Sequence, residues 1–137
     1  MPLQLDVITP ERRLLSEQVD ATTVPGLGGE LGILPGHTPL ISQLKTGVLS
    51  YTRGGETRRL LVSGGFVEVN DDRVSVLADF AEFPEEVDAA RARTERDDAE
   101  RRLTGFTGTP EELAEVREQL DRAGARLQLA ATSEVPR

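Results

Sequence analysis

The chain of 137 residues contains no cysteine, one histidine and one lysine, and no run of eighteen apolar residues. Without cysteine there are no disulfides, no thiol nucleophile and no thiolate zinc site. A single histidine without cysteine does not by itself make a transition-metal site. The lack of a long apolar run excludes a helical membrane span. The opening M-P-L-Q-L-D lacks the basic and then apolar pattern of a secretory signal, and an unexported, cytoplasmic chain is expected. Scarcity of lysine means that fifteen of the sixteen basic residues are arginine, which favours planar, forked contacts to carboxylate or phosphate. The formal net charge of −8 argues against a nucleic-acid partner, whose phosphates it would repel.

Two patterns divide the chain near Pro84. Before it, apolar residues recur with period two, as in Leu3, Leu5 and Val7 or Val74, Val76 and Ala78. Turn residues bound each run: Pro25-Gly26, Gly28-Gly29, Pro35-Gly36, Gly54-Gly55, Gly64-Gly65 and Asn70-Asp71-Asp72. Gly54-Gly55 between S-Y-T-R and E-T-R-R-L-L-V predicts a two-residue hairpin. Eight to ten short strands are expected, in an antiparallel β-sandwich or flattened barrel.

After Pro84 the composition is helical. Glycine is absent until position 105, and a helix is expected over about 84–103. A break at T-G-F-T-G precedes a second helix over about 110–131. Thr109 suits its cap, Pro110 its first turn, and Glu112 completes a capping box. Leu113, Val116, Leu120, Ala123, Leu127 and Ala130 form a seam for one helical partner. The first helix offers a thinner stripe of Val87, Ala92, Ala99 and Leu103. The fold expected is thus α+β, a sandwich over 1–83 followed by an antiparallel helical hairpin over 84–137, whose docking is marginal because it buries little.

Sites for catalysis are missing. The glycines at 26, 28, 29 and 32 fit neither dinucleotide nor phosphate-loop spacing. Ser63 lacks the nucleophile elbow and a histidine placed as base. His37 lies in a turn, where an exposed polar role suits it best. Asp71-Asp72 and Glu85-Glu86 read as turn and helix-start acids. One cluster remains. Folding the hairpin about residue 106 or 107 brings Arg91 level with Arg122, and Arg126 stands one turn further along the same face. Three guanidinium groups converging there invite an anion. Helix spacing alone favours the other reading, a solvated charged face paired with Glu118, Asp121 and neighbouring acids.

Four segments together, G-E-L-G-I-L-P-G-H-T-P-L, L-K-T-G-V-L, V-S-G-G-F-V-E-V and V-S-V-L-A-D, resemble the epsilon subunit of the bacterial F-type ATP synthase. The resemblance runs in order over nearly the whole chain. It implies a non-catalytic subunit of the rotating central stalk, peripheral on the cytoplasmic face of a bacterial membrane and attached only through the complex. The implied partners are the gamma subunit, the ring of c subunits and, through the C-terminal helices, the catalytic beta subunits, where those helices block ATP hydrolysis. Glu30 and His37 fall at positions associated with the c-ring contact. No cofactor is required, but some members bind ATP through aliphatic-Asp-x-x-Arg-Ala. V-D-A-A-R-A at 87–92 matches that motif with Asp88 and Arg91, Arg122 and Arg126 match the second-helix arginines, and Glu82 matches an acidic position ahead of them. Asp98 departs, standing where those members carry arginine, so ATP is expected as a weak regulatory ligand. The rival reading is a free-standing ATP-binding sensor; a sandwich hydrolase lacks its nucleophile and base.

Overall fold

A computed structural model describes residues 2–133; the last four residues of the expected hairpin region, 134–137, lie outside the described residues. Ten strands form two five-stranded sheets: β1 (Leu3–Ile8), β2 (Arg13–Val19), β3 (Ala21–Gly26), β4 (Gly29–Ile33), β5 (Leu40–Gln43), β6 (Gly47–Arg53), β7 (Glu56–Ser63), β8 (Phe66–Asn70), β9 (Arg73–Leu77) and β10 (Phe80–Glu82). The first sheet has the order β2-β1-β9-β8-β5 and the second β10-β7-β6-β3-β4. Every pairing is antiparallel except one: β1 runs parallel to β9, with Leu5 opposite Val74 and Val7 opposite Val76.

Alternation explains the layers. Leu3, Leu5 and Val7 of β1 and Val74 and Val76 of β9 face Leu49 and Tyr51 of β6 and Leu60 and Val62 of β7 across one closed core. The turns obey the backbone rules read from the sequence. Gly54 and Gly55 have φ of 58° and 84°, the left-handed pair that a two-residue hairpin requires. Gly65 has a different constraint: a Cβ there would lie 1.9 Å from the carbonyl oxygen of Leu77, so the chain can pass only as glycine.

Beyond β10 the chain does not enter a helix at 84 as periodicity suggested. Pro84–Glu86 form one 3₁₀ turn, and α1 (Ala89–Leu103) begins only after Asp88, whose carboxylate caps it by accepting from the Arg91 N–H at 3.1 Å. The 3₁₀ turn is clamped: both Glu86 carboxylate oxygens accept from Arg12 Nη2 at 2.8 Å, and Glu86 Oε1 also takes the Phe83 N–H at 2.9 Å. These contacts hold the Glu86 carboxyl below its ordinary value, the Phe83 N–H more than Arg12. The second helix, α2 (Pro110–Ser133), starts with the reciprocal bonds foreseen, Glu112 N–H to Thr109 Oγ1 at 3.1 Å and Thr109 N–H to Glu112 Oε1 at 3.3 Å.

Two faces of α2 are used. Val116 and Ala123 pack toward Ala92 and Ala99 of α1, along the seam the spacing indicated. Ala125 and Leu129, off that seam, cover Leu61 of β7 in a second, smaller apolar cluster, flanked by Val48, Phe80 and Val87. Thus β7 is buried on both sides at Leu60–Ser63, inward by the sandwich and outward by α2.

Candidate functional site

A cleft of about 530 Å³ opens where α1, α2 and the end of β10 meet. Each wall is placed by local structure. Glu82 ends β10 opposite Leu61, Asp88 and Arg91 stand at the capped start of α1, and Arg122 and Arg126 lie one turn apart on α2. All five residues singled out in the sequence for ATP therefore line the same cleft. Asp98 lies further along α1 and accepts from Arg101 at 3.3 Å.

The arginines are already occupied. Arg126 donates to Glu82 at 3.0 Å and faces Glu95 at 3.7 Å, with the Arg126 and Glu82 side chains only 18% and 15% exposed. Arg122 pairs with Glu118 at 2.9 Å, as the charged-face reading expects, and Arg91 with Glu95 at 3.3 Å. The guanidinium groups of Arg122 and Arg126 both stack over Phe80, at 4.9 Å and 5.4 Å from the ring centroid. The buried Nε of Arg122 has no hydrogen-bond partner. Six carboxylates (Glu82, Glu86, Asp88, Glu95, Glu115 and Glu118) face three guanidinium groups, a net charge of −3. An anion entering the cleft would compete with these carboxylates for the guanidinium groups. Glu95 and Phe80 were missed in the sequence. The Arg91–Glu95 spacing of four was legible; the approach of Phe80 depends on docking and was not.

Glu30 and His37 lie at the opposite kind of place. Residues 34–39 carry the chain from edge strand β4 of one sheet to edge strand β5 of the other. Gly36, with φ of 84°, donates its N–H to Asp72 Oδ1 at 2.6 Å, tying this crossing to the β8–β9 turn. His37 Nδ1 lies 2.7 Å from its neighbour's carbonyl, Thr38 O. Glu30 is exposed on β4, opposite Pro25, and no hydrogen bond or ion pair joins it to His37. Leu34, 63% exposed, opens the crossing, and Leu27, 60% exposed, stands in the β3–β4 turn at the other end of β4.

The sequence model described as the β-sandwich domain of the ATP synthase delta/epsilon chain matches residues 2–84. The ATP synthase epsilon chain of Nitratidesulfovibrio vulgaris strain DP4 is 44% identical over 127 residues, covering 93% of this chain and 87% of the relative. The chain belongs to the ATP synthase epsilon family. The epsilon chain of Herpetosiphon aurantiacus is 44% identical over 130 residues and covers 95% of both chains. Among solved structures, a chain of the Euglena gracilis mitochondrial ATP synthase, determined as OSCP/F1/c-ring, superposes with a TM-score of 0.81 at 26% identity, covering 95% of this chain and 81% of its own. A chain from the Tetrahymena thermophila central stalk and c-ring structure, 17% identical with a TM-score of 0.63 and 98% of both chains covered, shares the fold. Epsilon chains are non-catalytic stalk subunits of the rotary complex, so the cleft needs no reaction assigned to it. Among the described residues no helix is long and apolar enough to cross a membrane, and no group of acids and histidine suits a metal ion.

Proposed function

We propose that this chain couples the rotor of a bacterial ATP synthase to its catalytic head, at the cytoplasmic face of the membrane, and restrains ATP hydrolysis through its helical hairpin. The observation that carries this reading is the unequal build of the two parts. The sandwich, 1–83, has a closed core and a crossing at 34–39 pinned to a neighbouring turn, which suits a body that transmits torque between the gamma subunit and the c-ring. In that arrangement Glu30 and His37 meet the ring, beside the exposed Leu27 and Leu34. Among the described residues the hairpin rests on the sandwich through an apolar cluster with three buried members, which suits an element that leaves it to reach the catalytic beta subunits.

The cleft of Glu82, Asp88, Arg91, Arg122 and Arg126 takes ATP weakly in this reading. Forked guanidinium groups suit its phosphates, and binding would hold the hairpin folded. Weakness follows from the carboxylates already paired there and from Asp98 in place of a further arginine.

Truncation after residue 83 tests the division of labour. The fragment should fold, join the stalk and support ATP synthesis, while ATP hydrolysis by the complex rises. An unfolded fragment would place the boundary elsewhere, and unchanged hydrolysis would remove the inhibitory role.

A further inference from the structure

A second cleft, of about 580 Å³, lies between β7, the 3₁₀ turn and the end of α2, and its charge is reversed. It exists because β10 is short. That strand pairs with β7 only at Leu61, Val62 and Ser63. The next N–H, of Phe83, is taken by Glu86, and Pro84 has none to give. From Glu56 to Leu60, β7 therefore has β6 on one side and, among the described residues, no strand on the other. The cleft opens against that free edge, which is why the adjacent Arg58 and Arg59 both line it.

Its chemistry suits a phosphate. Two guanidinium groups face one carboxylate, Glu85, a net charge of +1 where the first cleft carries −3. Among the described residues Arg59 has no ion-pair partner. Arg58 hydrogen-bonds the Tyr51 side chain of the same cleft, and its ion pair with Glu56, at 3.4 Å with both side chains 63% exposed, is a contact easily exchanged for a better one. The Thr57 hydroxyl adds a donor beside them. The far wall is Thr132, near the end of α2, whose own hydroxyl donates to Leu129 O at 2.9 Å and so supplies shape rather than a donor.

We propose that this cleft is a phosphate-binding site, built from Thr57, Arg58 and Arg59 of the sandwich and closed by Thr132 of the hairpin. It is independent of the ATP reading of the first cleft. Because its two walls belong to different parts of the molecule, a ligand seated there favours the docked hairpin over the released one. Free phosphate and the phosphate chain of a nucleotide share this chemistry.

The test uses the full chain, titrated with inorganic phosphate against sodium chloride at matched ionic strength, with backbone amide shifts as readout. Saturable shifts at Thr57–Arg59 and Glu85 with a millimolar midpoint are expected, together with slower amide exchange in α2. Arg59→Ala should weaken binding about tenfold or more, and Arg59→Lys should restore part of it, since the charge returns without the fork. Both variants sit on an exposed strand position, and an unchanged amide spectrum elsewhere checks that they fold. Absent or unsaturable shifts would overturn the proposal, as would an unchanged midpoint in Arg59→Ala. Phosphate shifts confined to residues 82–92 and 117–127 and lost in Arg122→Ala would overturn it too, by moving the anion to the acidic cleft. A parallel ATP arm separates the sources. ATP shifting Thr57–Arg59 at lower concentration than phosphate identifies the nucleotide as the ligand. ATP acting only on 82–92 and 117–127 upholds the ATP reading and leaves free phosphate as the ligand of the second cleft.

Discussion

Replacing Leu129 with alanine should release the hairpin while sparing the sandwich. Leu129 and Leu61 are fully buried against one another's elements, and Ala125 completes the buried members of that cluster among the described residues. Burying two leucines contributes about 3–6 kcal/mol before side-chain and linker ordering is subtracted. A Leu→Ala change in such a place costs about 2–4 kcal/mol, a large share of whatever docking free energy remains. The docked population should therefore fall by roughly thirty-fold or more. Amide hydrogen exchange reads this directly: protection along Val116–Leu129 should drop by that factor, while β1 and β9 amides keep theirs. Leu49→Ala is the control, because Leu49 faces the sandwich core and should lower the protection of both sheets. If Leu129→Ala loosens β1 and β9 as much as α2, the hairpin is an integral part of one cooperative unit. If it loosens neither, the apolar cluster is not what holds α2 down, and the Arg126–Glu82 pair is the better candidate.

Two further outcomes follow from single positions. Gly36→Val forces a β-branched residue to φ of 84° in otherwise open space, at a cost of about 1–3 kcal/mol in backbone strain; in the assembled complex, proton pumping should suffer more than ATP hydrolysis, and equal loss would argue against a coupling role for the crossing. The Glu86 carboxyl titrates below its ordinary value of 4.5 when folded, so its contribution is present above that pH and is lost as pH falls through the depressed value; acid unfolding of Glu86→Gln should show a shallower fall over that window, and an unchanged slope would mean that the clamp on the 3₁₀ turn adds nothing.

Much of this was legible in the residues because local chemistry decided it. The Gly54-Gly55 hairpin and the Thr109–Glu112 box each depend on a few neighbouring positions, and both formed as expected. What failed was long-range. Period two identified β1 and β9 as strands but carried no information about which strands pair, so the parallel partnership went unseen. The seam of α2 was read for one partner, whereas the helix has two, and Ala125 and Leu129 lie off the stripe that was counted. At the cleft the five residues picked out line one space, but the pairing of Arg126 with Glu82 on β10 and Glu95 on α1, which sets how its charge is used, depends on how α2 docks. The helix start at 84 was misplaced because Pro84 and two glutamates satisfy a single turn as well as a helix, and Asp88 is the residue that caps.

The parallel pair of β1 and β9 also governs how this chain acquires its shape. Leu5 meets Val74 across nearly the full length of the sandwich sequence, and β1 sits second in its sheet, between β2 and β9. Of the sandwich strands β1 is made before the others, and it must therefore wait for almost the last of them before its inner edge is satisfied. Contacts so distant in sequence slow the search and leave partial chains with unpaired edges. A nascent chain ending before Arg73 should engage chaperones and resist no protease, and cutting the sandwich between β5 and β6 should yield two fragments that fold only in each other's presence.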